Sequence, residues 1–183
     1  MKVLICLFLF LPCLTFSQTE TERIVDSLKY VKATRKGRSI NSNINSKDSC
    51  GDQIFWQLVK QRQIIIPSLI DKLSDTTITE VQNRQFGMNY RVGDIAFEVL
   101  QEIIKYLPRY NEANERKRQY GCGYDPYWFE LYFNFNNRQK YQTEIREWYK
   151  ANKDNLIWVT NENCLTCRCN GVNPNKGHFE IQK

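Results

Sequence analysis

The residues best suited to chemistry in this chain stand near its C-terminal end. Cys164, Cys167 and Cys169 form a C-x-x-C-x-C pattern, and the only histidine, His178, follows after eight intervening residues. Three thiolates and one imidazole are a ligand set for a tetrahedral structural zinc ion. The spacing permits such a site, although the short C-x-C step differs from the common zinc-finger spacings.

The same cysteines admit two catalytic interpretations. Cys164 and Cys167 follow the strand-like segment LIWV, as a redox dithiol would, but that chemistry needs a helix directly after the motif to lower the thiol pKa. Asn170, Gly171 and Pro174 oppose a helix there. A cysteine nucleophile paired with His178 would lack an identifiable orienting residue.

The first seventeen residues bear on this choice. Lys2 precedes an uncharged run over residues 3–16, and Thr15 and Ser17 put small side chains where a signal peptidase cleaves. We therefore expect a signal peptide over residues 1–17, cleavage before Gln18, and a periplasmic or secreted protein. The run is too short for a spanning helix of about 20 residues, so no stable membrane anchor is expected after cleavage.

An oxidising compartment favours disulfides over thiolate ligands. Export therefore predicts disulfides in place of zinc, and no cofactor, with zinc as the alternative. The number of cysteines after cleavage is odd, so at least one is left as a free thiol or an intermolecular bond, and the pairing stays open. The disulfide candidates are Cys50, Cys122, Cys164, Cys167 and Cys169.

Two further groups of side chains could contact a ligand. Aromatic residues crowd positions 120–149, and most of them must fill a core, but Tyr124, Tyr127 and Trp128 are candidates for stacking on a sugar or anchoring a partner. The carboxylates Asp94, Glu98 and Glu102 recur at every fourth position. Such neighbours on one helix predict a solvated face rather than an acid/base pair across a cleft.

Charge gives little indication of a nucleic-acid partner. The chain has 26 Lys and Arg against 20 Asp and Glu, a mild excess. The short basic runs at residues 35–38 and 116–118 are typical of solvated loops in an exported protein, so no nucleic acid is expected as a partner.

Hydrophobic periodicity predicts a mainly helical chain. The expected helices cover residues 20–33, 54–59, 65–73, 92–107, 126–134 and 138–152. A polar linker is expected over residues 34–49, a long loop over 75–91, a strand over 156–159, and an irregular tail after it.

The segments IIIPSLIDKLSD and RVGDIAFEVLQEI resemble the two helices of a HEAT repeat, over about residues 63–107. The positions that carry the resemblance are Pro67, Leu69, Leu73, Asp75, Val92, Ala96 and Leu100. The order of signal, helical hairpin, aromatic helix and LIWV segment is also similar to exported bacterial proteins. The resemblance implies a helical scaffold that binds partners along a stacked surface.

Together these features predict a mainly α protein, with HEAT-like α-helical hairpins forming one small domain and an irregular Cys-rich C-terminal segment. We expect a signal peptide (1–17), a short helix and polar linker (18–49), and a helical domain with a C-terminal Cys-rich flap (50–183). The function expected is an exported protein-binding or structural module without catalysis. The alternatives are a cell-envelope enzyme acting on glycan or peptidoglycan, and an aromatic carbohydrate-binding module.

Overall fold

The computed structural model describes residues 20–35, 37–39, 51–83, 87–108, 110, 127–161 and 175–182, with the side chains of 37–39 and 127–129 excepted. Within these ranges the chain is mainly helical, as predicted, and carries two small antiparallel sheets.

The helices follow one another with short 3-10 turns between them. Residues 20–26 form α1, which continues into a 3-10 turn at Ser27–Tyr30. The others are α2 (Gln53–Lys60), a 3-10 turn at Arg62–Ile65, α3 (Ile66–Lys72), α4 (Val92–Ile103), a π-helical turn at Tyr127–Tyr132, α5 (Phe135–Asn152) and a 3-10 turn at Lys153–Asn155.

Helix α4 is the centre of the core. It packs against α2, α3 and the turn after α1, and its apolar side chains are buried on several sides. The close approach to the end of α3 depends on Gly93, because a Cβ there would lie 2.4 Å from the carbonyl oxygen of Leu73. Gly93 N also donates a hydrogen bond to the Asp75 carbonyl, at 3.0 Å.

Asp52 joins the N-terminal segment to α2. One carboxylate oxygen caps α2 by accepting from Phe55 N at 2.8 Å. The other accepts from the backbone amides of Lys32 and Ala33, at 2.5 and 3.3 Å. This single side chain therefore holds the segment after α1 against the entrance of α2.

The predicted loop over residues 75–91 is wrong, because most of it is a β-hairpin. Strands β2 (Ile78–Asn83) and β3 (Asn89–Arg91) pair antiparallel, and buried and exposed positions alternate along β2. Strand β1 (Gly37–Ser39), inside the predicted linker, pairs with the other edge of β2. Its three residues pair through backbone atoms, which leaves no apolar pattern to detect.

The C-terminal sheet confirms one predicted strand and adds another. Strand β4 (Leu156–Thr160) pairs antiparallel with β5 (Gly177–Ile181), which falls in the part predicted to be irregular. Helix α4 ends at Ile103 rather than at 107, because Ile104 is extended and bridges to Phe179. The amide of Lys105 donates to the Phe179 carbonyl at 3.1 Å. The end of α4 is thereby fixed to β5.

Candidate functional site

The carboxylates of α4 point into the protein. Asp94 and Glu98 are buried, with 1% and 7% of their surface exposed, and the side chain of Glu102 is 13% exposed. The predicted solvated face is therefore wrong. Each carboxylate meets a partner from another element, and the partners of Asp94 and Glu102 are distant in sequence, which a helical repeat of acidic residues cannot reveal.

The first carboxylate forms a buried ion pair. Arg138 Nη2 of α5 lies 2.5 Å from Asp94 Oδ1, and both side chains are only 1% exposed. The second oxygen of Asp94 accepts from Arg91 N at 2.7 Å and so caps α4. Arg138 also lies 5.9 Å from the ring centre of Tyr132 in the π-helical turn. The pair therefore links α4, α5 and that turn.

The second carboxylate is held by a tyrosine of the hairpin. The hydroxyl of Tyr90 donates to Glu98 Oε1 at 2.8 Å and accepts from Asn83 Nδ2 at 3.3 Å. Burial, and then the negative charge of Glu98, raise the pKa of the Tyr90 hydroxyl well above its ordinary value. The phenol is thus kept neutral, as a donor to the carboxylate.

The third carboxylate, Glu102, pairs with Arg35 in the segment after the first 3-10 turn. The row therefore joins α4 successively to α5, to the β2–β3 hairpin and to the N-terminal segment. General acid–base catalysis requires a group within reach of a substrate proton. These three carboxylates are instead used inside the fold, where they fix the packing of the surrounding elements.

His178 lies on β5 and is engaged with a carboxylate. Its Nε2 is 2.7 Å from Glu180 Oε1, and Lys105 Nζ is 2.8 Å from the same oxygen. Hydrogen bonds from Lys105, and then from His178, lower the pKa of Glu180. Since Glu180 contacts Nε2, one of the two imidazole nitrogens that can bind a metal, zinc ligation through Nε2 would require His178 to leave this contact.

The other predicted site residues are only partly described. The five cysteine candidates, Cys50, Cys122, Cys164, Cys167 and Cys169, lie outside the described residues, as does Tyr124. Tyr127 and Trp128 lie in the π-helical turn, whose backbone alone is described at these positions. Among the described residues, no group of three or more His, Cys, Asp or Glu side chains could hold a metal ion.

An open groove of about 660 Å³ lies between the end of α2 and the start of β5. Among the described residues its lining combines cations, amides and a few apolar atoms without a carboxylate: Lys60, Gln61, Arg62, Gln63, Ile64, Asn175, Lys176 and Phe179. We refer to this set of residues as the basic groove.

Two backbone features and one stacking contact shape the basic groove. Arg62 and Lys176 have positive φ angles of 54° and 56°, which side-chain-bearing residues seldom adopt. The Arg62 guanidinium lies 4.0 Å from the ring centre of Trp158 on β4. Gly177 allows the indole to approach β5, because a Cβ there would lie 2.7 Å from its ring carbons.

The sequence did not single out this groove, because its two halves are more than a hundred residues apart. The only local signal is the alternation of cations and amides at residues 60–63, directly after a short amphipathic helix. Alone, that run is indistinguishable from an ordinary polar turn.

No known family model, characterised protein or solved structure matches the chain. In the part of the chain that the structure describes, no helix is long and apolar enough to cross a membrane.

Proposed function

We propose that the mature protein is an exported, non-catalytic helical module that binds a protein partner through the basic groove, in the periplasm or outside the cell. The observation that carries the proposal is the groove itself: an open, preformed concavity whose lining offers cations, amides and an exposed apolar side chain.

The composition of the basic groove suits a protein surface. Ile64 is 69% exposed and is an apolar side chain available for burial by a partner. Gln61, Arg62 and Gln63 line the same groove and carry hydrogen-bonding groups. Protein–protein interfaces usually combine apolar and polar side chains in this way.

The use of the α4 carboxylates inside the fold supports a binding role over an acid/base enzyme. Asp94, Glu98 and Glu102 each have a partner in another element, so their contribution is to rigidity. A rigid scaffold lowers the entropy cost of binding, because the groove is already arranged before the partner arrives.

We further propose that α3 and α4 constitute the HEAT-like hairpin of this scaffold. The two helices pack against each other, as the helices of such a unit do. The β2–β3 hairpin replaces the short turn that usually joins them. The basic groove lies beside this helical layer, at the start of the 3-10 turn that leads into α3.

Site-specific photocrosslinking in the producing cells tests the proposal. A photoreactive amino acid is placed at Gln61, Ile64 or Lys176 in the groove, and at Gln139 as a control. Gln139 is exposed on α5, fourteen residues before Lys153, whose carbonyl contacts Gln63. At a helical rise of 1.5 Å per residue, Gln139 lies about 21 Å along the helix from Lys153.

The expected result is a discrete crosslinked protein from the groove positions of the exported protein and none from Gln139. The absence of crosslinks at all three groove positions would contradict the proposal, as would equal crosslinking at Gln139. Retention of the chain in the cytoplasm would contradict the export on which it depends.

A further inference from the structure

We propose that the basic groove recognises an acidic, extended segment of the partner protein, in which carboxylates flank an apolar side chain. This inference rests on the proposed function and specifies the chemistry of its ligand. The charge of the groove, the position of Arg62 against Trp158 and the exposure of Ile64 support it.

The cations of the basic groove differ from the arginines and lysines that pair with carboxylates, such as Arg146 with Asp71 and Lys72 with Asp26. Within the described ranges, Lys60, Arg62 and Lys176 form no ion pair, and all three are exposed. Three like charges around one concavity repel one another, and an anionic ligand would relieve that repulsion.

Arg62 is arranged to bind a carboxylate in a fixed direction. Its guanidinium carbon lies 4.0 Å from the centre of the Trp158 ring, a cation–π contact that holds the side chain beside the groove. The N–H donors lie in the plane of the guanidinium, so a guanidinium that stacks on the ring keeps them available for a bidentate bond to a carboxylate. Since the stack restricts the side chain, less entropy is lost when the ligand binds.

Ile64 and the neighbouring amides favour a peptide over a purely ionic ligand such as phosphate or an acidic polysaccharide. Ile64 is 69% exposed beside the cations, and a fully hydrated ligand would not bury this apolar side chain. The Gln61 amide donates to the Gln57 carbonyl, and its other N–H and its oxygen can exchange hydrogen bonds with a peptide backbone. An alternating acidic and apolar segment matches all of these groups at once.

The test is a fluorescence-anisotropy titration of the purified mature protein. The probe is a labelled peptide of about ten residues, roughly 33 Å when extended, with glutamates around a central leucine. A second peptide replaces each glutamate by glutamine. The variants are K60E/R62E/K176E in the groove and K29E/K32E/K150E elsewhere, which change the net charge equally at exposed positions.

We expect the acidic peptide to bind at least about tenfold more tightly than its glutamine counterpart, and more weakly as salt rises. Groove reversal should weaken the binding by about tenfold or more, and the control reversal by less than about threefold. If the triple variant unfolds, the double variant K60E/K176E, which leaves Arg62 unchanged, is titrated in its place. Trp158→Leu should also weaken binding, because the aromatic ring beside the Arg62 guanidinium is lost.

Three outcomes would overturn the inference: equal affinity for the two peptides, undiminished binding by the groove variants, or displacement of the peptide by inorganic phosphate or polygalacturonate at equal charge concentration. If one of these outcomes is found and the groove positions still crosslink in cells, the acidic ligand is rejected and the protein-binding function is retained. The loss of the groove crosslinks would reject the proposed function itself.

Discussion

Replacing Arg138 with methionine should destabilise the protein severely, because it leaves Asp94 charged and buried. Both side chains are 1% exposed and their nearest atoms are 2.5 Å apart. Removal of one partner from a buried ion pair costs about 3–5 kcal/mol, out of a typical domain stability of about 5–15 kcal/mol. Methionine preserves most of the side-chain volume, so the loss should report mainly the uncompensated charge.

The magnitude can be checked against a matched pair on the same helix. Arg146 of α5 lies 2.8 Å from Asp71, but these side chains are 38% and 67% exposed. Exposed pairs contribute about 0–1 kcal/mol. Arg146→Met should therefore cost at most about 1 kcal/mol, although the residue types and the helix are the same.

A double-mutant cycle separates the pair from the packing around it. Asp94→Asn alone leaves the Arg138 charge without its carboxylate and should also be costly. The double variant D94N/R138M removes both charges, so its cost should be smaller than the sum of the two single costs by about 2–3 kcal/mol.

The assay is equilibrium unfolding in urea, with the midpoints compared at a common slope. The prediction is contradicted if Arg138→Met lowers the free energy of unfolding by no more than Arg146→Met does. It is also contradicted if the losses for Asp94→Asn and Arg138→Met add up to that of the double variant. Either result would mean that the pair does not fix the packing of α4 on α5.

Three further predictions concern the core, its pH dependence and export. Gly93→Ala should lower the free energy of unfolding by about 1–3 kcal/mol, measured in urea, because the added methyl group collides with the Leu73 carbonyl. The pKa of Tyr90 is raised by burial and by Glu98, so this residue's contribution to stability is complete below pH 10 and decreases above it. Between about pH 10 and 12 the free energy of unfolding of the parent protein should therefore fall more steeply than that of Tyr90→Phe. The two slopes should differ by about 1.4 kcal/mol per pH unit. N-terminal sequencing of the exported protein should begin at Gln18.

Each of these predictions has a result that contradicts it. A Gly93→Ala variant as stable as the parent would mean that α3 and α4 are not in close contact at this point. Equal pH slopes for Tyr90→Phe and the parent would place the hydroxyl in water. An intact Met1 on protein from the cytoplasm would remove the argument for export, and zinc would then be favoured over disulfides.

The helices of the core could be predicted from the sequence because their burial is periodic. Leu69, Leu73, Ile95 and Val99 recur at helical spacing, and all four are buried, Leu73 directly after α3 and the others within α3 and α4. Helix ends were less predictable. The apolar period of α4 continues to Leu107, but the chain becomes extended at Ile104 to bridge with β5.

Strand β1, the β4–β5 sheet and the ion pairs of Asp94 and Glu102 could not be predicted in this way, because their partners are distant in sequence. Short strands such as β1 pair through their backbone and need no particular side chains. The acidic repeat on α4 is compatible with both solvent and a row of buried partners, and only the positions of Arg138, Tyr90 and Arg35 distinguish the two. The basic groove was missed for the same reason, since Lys176 and Arg62 meet only in the folded chain.

Amide chemical-shift mapping with the acidic probe peptide is the most direct measurement of the central claim, that the basic groove is the binding surface. The labelled mature protein should show shifts that saturate together at residues 60–64 and 176–179, with none around Gln139 on α5. Shifts centred on α5 or on the β2–β3 hairpin, or no shifts at millimolar peptide, would contradict the claim.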